Sequence, residues 1–151
     1  MKTKILTIVI LSFLFSLDMN AQCINGVKSY PIYKMGAQLV EEFDNGGSEI
    51  VRIEYDLIFS SKETFRNLTS DWEYVIIGFA DNGVQDLDVK LYEYDDLLEQ
   101  WKLVAEDKST EAYAIVTYKP LVTAMYKVEV IVYKFHEGYT AARYGLMFVH
   151  D

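Results

Sequence analysis

Tyr126-Lys127-Val128-Glu129-Val130-Ile131-Val132-Tyr133 is the stretch on which the fold turns. Successive side chains of a strand point to opposite faces, so Tyr126, Val128, Val130 and Val132 share one face and Lys127, Glu129, Ile131 and Tyr133 the other. The governing period is two, not 3.6. The same alternation recurs upstream. Leu87, Val89 and Leu91 alternate with Asp88, Lys90 and Tyr92, and Val51, Ile53, Tyr55, Leu57 and Phe59 with Arg52, Glu54 and Asp56. Glu73 to Ala80 (EYVIIGFA) is a continuous apolar run, which predicts a strand covered on both faces. Shorter strands are expected around Trp101 to Ala105 and Ala112 to Tyr118, and Tyr144, Leu146 and Phe148 close the chain.

Turn signals separate these segments: Asp44-Asn45-Gly46-Gly47, Asp81-Asn82-Gly83, Asp95-Asp96, Asp107 to Thr110, Pro120 and His136-Glu137-Gly138. Seven or eight strands joined by short polar turns predict an all-β, antiparallel β-sandwich over residues 49–151. Residues 22–48 read as an N-terminal extension or edge element. Within it, Ile32, Met35, Leu39 and Phe43 stand near helical spacing but Gly36 interrupts, so both a short helix and a further edge strand stay open.

The first 21 residues read as a secretory signal peptide. Lys2 and Lys4 precede an apolar stretch from Ile5 to Leu17, and Met19-Asn20-Ala21 offers a cleavage site. Thirteen apolar residues span about 20 Å as a helix, short of a bilayer core of about 30 Å, so no transmembrane segment is expected after cleavage. The expected location is the periplasm or the exterior of a bacterium. Cys23 follows a bulky Gln22 where a lipidation site wants a small residue, which argues against a lipid anchor. As the single cysteine of the chain it forms no internal disulfide, so the core alone must hold the domain.

Loss of Lys2, Lys4 and Asp18 from 14 basic and 23 acidic residues leaves 12 and 22, a net charge of −10. A chain this acidic lacks the concentrated basic face that nucleic acid requires. Nothing in it assembles a catalytic constellation: there is no G-x-S-x-G and no H-E-x-x-H, His136 falls in a polar turn, and His150 is next to last. A non-enzyme is expected.

The order Tyr74-Val75-Ile76-Ile77, Asp86-Leu87-Asp88-Val89-Lys90-Leu91-Tyr92, Leu103-Val104-Ala105-Glu106-Asp107, Pro120, Tyr126-Lys127-Val128-Glu129-Val130 and Tyr144-Gly145-Leu146 resembles the bacterial pre-peptidase C-terminal domain over about residues 63–150. The resemblance implies a jelly-roll-like sandwich without catalytic residues, of a kind usually appended to exported peptidases, some of whose members bind collagen or calcium. Here it would stand alone, without an attached enzyme, and Ala124-Met125-Tyr126 replaces the common Gly-Thr-Tyr.

Two sets of residues are candidates for function. Asp86 and Asp88 lie on one strand face about 6.8 Å apart, and with Asp81 and Asp107 they could relieve their repulsion by sharing Ca²⁺, the one cofactor the sequence suggests. The competing reading makes Asp86 and Asp88 turn-formers that accept backbone N–H bonds in the preceding turn. Tyr92, Tyr94, Trp101 and Tyr133 form a candidate aromatic binding surface. The chain therefore reads as an exported, non-catalytic binding or accessory module that recognises a protein, a glycan or an envelope component. The alternatives are a structural, calcium-stabilised domain and, less favoured, a small secreted hydrolase.

Overall fold

A computed structural model describes residues 29–151. The stretch read as a signal peptide, residues 1–21, and Cys23 lie outside the described residues. Among those described, one helix and eight strands form: α1 (Tyr30–Gly46), β1 (Glu49–Ile58), β2 (Ser61–Leu68), β3 (Tyr74–Ala80), β4 (Val84–Asp95), β5 (Gln100–Asp107), β6 (Tyr113–Tyr118), β7 (Ala124–Phe135) and β8 (Ala142–His150).

The strands make two four-stranded antiparallel sheets, ordered β1-β8-β3-β6 and β2-β7-β4-β5. Partners nest: β1 pairs with β8, β2 with β7, β3 with β6 and β4 with β5. The chain is thus one long hairpin, turned at residues 96–99 and wrapped into a jelly roll, the architecture expected from sequence.

The core is built from the alternation. Leu87, Val89 and Leu91 of β4 and Tyr126, Val128, Val130 and Val132 of β7 face Ile76 of β3 and Leu146 and Phe148 of β8. Each such side chain, fully withdrawn from water, contributes about 1.5–3 kcal/mol. The Tyr126 hydroxyl is not stranded by this burial, because it donates to the Val122 carbonyl (3.1 Å) and lies 3.3 Å from Glu93 Oε1.

The ambiguous N-terminal stretch is a helix. Pro31 opens it, where a missing N–H costs nothing. Gly47 closes it with a left-handed φ of 83°, and the N–H groups of Gly47 and Ser48 donate to Asp44 and Phe43. Gly36, which seemed to interrupt it, is where the helix touches the sheet: a Cβ there would collide with the Tyr55 hydroxyl. Ile32, Met35, Leu39 and Phe43 make a stripe that packs on Ile77 and Phe79 of β3 and Met147 and Val149 of β8. β3 is therefore covered on both faces, by the core inside and by α1 outside.

One face assignment differs from the simplest sequence reading. The apolar row of β1, Ile53 and Tyr55, packs under the helix and not into the sandwich interior. Glu54 of β1 instead meets Arg66 of β2 at 2.7 Å, and Asp56 meets Lys62 at 2.6 Å. These pairs close the seam between the two edge strands, and the Arg66 guanidinium also lies over the Phe148 ring. Phe59, counted with that row, lies beyond the strand and is exposed.

Candidate binding face

Among the described residues, no helix lies over the outer face of the β2-β7-β4-β5 sheet. Strand register sets its rows. Phe65 lies opposite Lys127, Lys127 opposite Tyr92, and Tyr92 opposite Leu103; Tyr94 lies opposite Trp101 one step further on. The large side chains then lean across the strands. The Trp101 ring centroid is 5.6 Å from Phe65 and 5.2 Å from Tyr94, tilted at 51° and 63°. Lys127 Nζ sits 4.5 Å above the Tyr92 ring and 5.7 Å from that of Trp101, while bonding Glu63 at 2.9 Å. Phe65, Tyr94, Leu103 and Met125 around them are exposed.

Polar groups stiffen this cluster from below. The Tyr92 hydroxyl donates to Glu129 Oε2 at 2.9 Å. Burial, reinforced by that carboxylate, pushes the Tyr92 pKa up to about 12, so it stays a neutral donor throughout the physiological range.

Of the four surface residues expected from sequence, Tyr92, Tyr94 and Trp101 are brought together. Tyr133 is not among them: it is exposed beside Lys90, whose Nζ lies 3.3 Å from the Tyr133 hydroxyl. Sequence reasoning missed Phe65 and Lys127. Phe65 alternates with Arg66 and Thr64 in Ser61-Lys62-Glu63-Thr64-Phe65-Arg66-Asn67-Leu68, where a period of two is written almost wholly in polar residues.

The four aspartates do not gather into a calcium shell. Among the described residues no three His, Cys, Asp or Glu side chains form a set that could hold a metal. Asp81 spends one oxygen on the Gly83 N–H (2.8 Å) and the other on the Arg143 N–H (3.0 Å), tying the β3–β4 turn to β8. Asp107 accepts from Ser109 N–H (2.8 Å) and Ile115 N–H (3.2 Å), tying β5 to β6. Burial raises the Asp107 pKa, but those hydrogen bonds outweigh it and the net shift is downward. Asp86 falls at a bulge in the β4–β7 ladder. Asp88 is the one buried charged residue among those described, and its pKa is raised, first by burial and then by Asp86 and Asp107. The turn-forming role expected of Asp86 and Asp88 is taken instead by Asp81 and Asp107.

Neither histidine is arranged for catalysis. His150 stacks on Trp72 at 4.3 Å with its buried Nδ1 unpartnered, a packing role. His136 lies in the β7–β8 connection, where its backbone N–H donates to the Gly83 carbonyl. No helix among the described residues is long and apolar enough to cross a membrane.

No protein-family model matches the chain, and no curated protein matches it in sequence. Solved β-sandwiches are similar in structure. The pre-peptidase C-terminal domain of a Bacillus anthracis collagenase superposes with a TM-score of 0.49 at 13% identity, over 64% of this chain and 87% of that one. A Yersinia pseudotuberculosis mitogen gives a TM-score of 0.47 at 11% identity, over 67% and 85%. A periplasmic inhibitor of g-type lysozyme from Aeromonas hydrophila gives 0.45 at 4% identity, over 70% and 90%.

Proposed function

We propose that the protein is an exported, non-catalytic binding module whose ligand is another protein, held on the outer face of the β2-β7-β4-β5 sheet. The observation that carries this reading is the Phe65–Trp101–Tyr94 cluster, crossed by Lys127, on a sheet face that no described residue outside the sheet roofs. Tryptophan and tyrosine are among the side chains that dominate protein–protein hot spots. The leader at residues 1–21 supports export.

A glycan fits this face less well. Sugar rings stack on flat aromatic faces left open to water. Here the Tyr92 and Trp101 faces are taken by the Lys127 ammonium, and Phe65 and Tyr94 tilt against Trp101 instead of lying in one plane.

The test is site-specific photocrosslinking in the protein's own cells, with the photoreactive residue at Leu103, beside Tyr92 and outside the ring cluster. A discrete protein adduct that disappears with Trp101→Ala is expected. The reading falls if no discrete adduct forms, or if soluble envelope glycans bind saturably and Trp101→Ala abolishes that binding.

A further inference from the structure

The aromatic face runs on past the end of its sheet, and we propose that it continues over three loops to form a docking surface for a basic protein with an apolar centre. The proposal rests on the protein-binding reading and adds a partner chemistry and a second half to the surface.

Three connections meet at the Tyr94–Trp101 end of the sandwich: β2–β3 (residues 69–73), β4–β5 (96–99) and β6–β7 (119–123). The ladders place them there, since Leu68 pairs with Ala124, Glu93 with Tyr126 and Asp95 with Gln100. Their backbones are tied down. Ser70 N–H donates to Thr123 Oγ1 at 3.1 Å, the Tyr126 hydroxyl holds the Val122 carbonyl, and Asp95 Oδ1 accepts from both Leu97 N–H (2.9 Å) and Leu98 N–H (3.0 Å).

These anchored loops carry large apolar side chains into water. Leu97 is 95% and Leu121 84% exposed, with Leu98, Val122 and Trp72 beside them in the same loops. At the opposite end the turns Asp81-Asn82-Gly83 and Lys108-Ser109-Thr110-Glu111 carry no large apolar side chain, and the other two connections carry one exposed ring each, Phe59 and Tyr139. Apolar groups grouped on ordered loops and continuous with an aromatic face are the signature of a surface that something covers.

Charge selects the occupant. On and beside these loops stand Asp71, Glu73, Asp95, Asp96 and Glu99 against the single Lys119, and none of the five carboxylates is in an ion pair with a described residue. A second copy would set carboxylates against carboxylates, and an anionic lipid surface would be repelled in the same way. A basic rim around an apolar patch complements both features at once, the rim steering the approach and the leucines supplying the buried centre.

The test titrates the protein with a helical peptide of leucine and lysine, with its leucine–glutamate counterpart and with a lysine–serine counterpart, following the fluorescence of Trp72 and Trp101. The leucine–lysine peptide is expected to bind at least about tenfold more tightly than either control, and the double variant Leu97→Ser/Leu121→Ser to lose about tenfold of that affinity with its thermal melt unmoved. Equal binding of all three peptides, affinity untouched by the leucine substitutions, dimerisation in sedimentation, or uptake by phosphatidylglycerol vesicles would each overturn it. Affinity lost with Trp101→Ala but kept in the leucine variant would sink the loop extension and leave the sheet-face reading standing. The reverse pattern would sink the sheet-face reading and the continuity of sheet and loops, leaving the loops alone as the peptide's site.

Discussion

The two sheets of this sandwich present outer faces of opposite fate. The β1-β8-β3-β6 face carries Ile53, Tyr55, Ile77, Phe79, Met147 and Val149 and is roofed by α1. The β2-β7-β4-β5 face carries Phe65, Tyr92, Tyr94, Leu103 and Met125 around Trp101, and no element among the described residues covers it. Both faces are too apolar to be indifferent to water. One answers that with the chain's own helix; in the function proposed above, the other is left for a partner. The contrast teaches that a second apolar face on a jelly roll becomes core only where the chain supplies a cover, and otherwise has to be explained by binding.

The comparison breaks if the bare face proves to be core. Phe79, 1% exposed and packed edge-on against Tyr55 under the helix, is a roofed residue. Truncation by Phe79→Ala is expected to cost about 3–5 kcal/mol in urea unfolding. Trp101→Ala, on the uncovered face, should cost no more than about 1 kcal/mol while removing the photocrosslinked adduct. Equal losses would make Trp101 a structural residue and the bare face part of the core.

The roof can be probed at its tightest point. Replacing a helical glycine by alanine ordinarily stabilises a helix by about 0.5–1 kcal/mol. At Gly36 the sign should reverse, because the new Cβ strikes the Tyr55 hydroxyl. Gly36→Ala is expected to cost about 1–3 kcal/mol. Removing the hydroxyl in Gly36→Ala/Tyr55→Phe should return a large part of that loss in the same urea assay. A gain of stability in the single variant would mean that the helix rides loosely on the sheet.

Much of this architecture was legible because the chemistry of its strands is local. The alternation of β4 and β7 named their core residues, Leu87 to Leu91 and Tyr126 to Val132. The unbroken run in β3 announced a strand covered twice, without saying by what. What stayed illegible depends on partners that lie on other strands. β2 has polar residues on both faces because its inward Lys62 and Arg66 are neutralised by Asp56 and Glu54 of β1, and no periodicity shows such pairing. Phe65 was lost with that strand. Tyr133 has the same local pattern as Tyr92, and only the register shows that it lies apart from the cluster. The aspartates show the same limit. Spacing puts Asp86 and Asp88 near each other, whereas the backbone donors that claim Asp81 and Asp107 include Arg143 of β8 and Ile115 of β6, which no spacing within β4 reveals.

Asp88 is the smallest and sharpest probe of the bare sheet, since it is a buried carboxylate on a strand otherwise devoted to binding or to core. Its folded pKa is raised by burial and by neighbouring acids, so the folded state holds this proton more tightly than the unfolded chain does. Stability therefore falls as pH rises from the ordinary carboxylate value through the raised one, and the full cost persists at neutral pH. Asp88→Asn cannot ionise. It should stabilise the fold by about 1 kcal/mol at pH 7 and by nothing near pH 3, read from thermal melts at the two pH values. The same melts in EDTA, Ca²⁺ and Mg²⁺ at equal ionic strength decide the metal question. Because Asp81 and Asp107 are already satisfied by backbone donors, the three curves are expected to coincide. A rise selective for Ca²⁺, lost in Asp88→Asn, would instead establish that the aspartates rearrange around an ion, and that the outer face of β4 needs a metal to hold its shape.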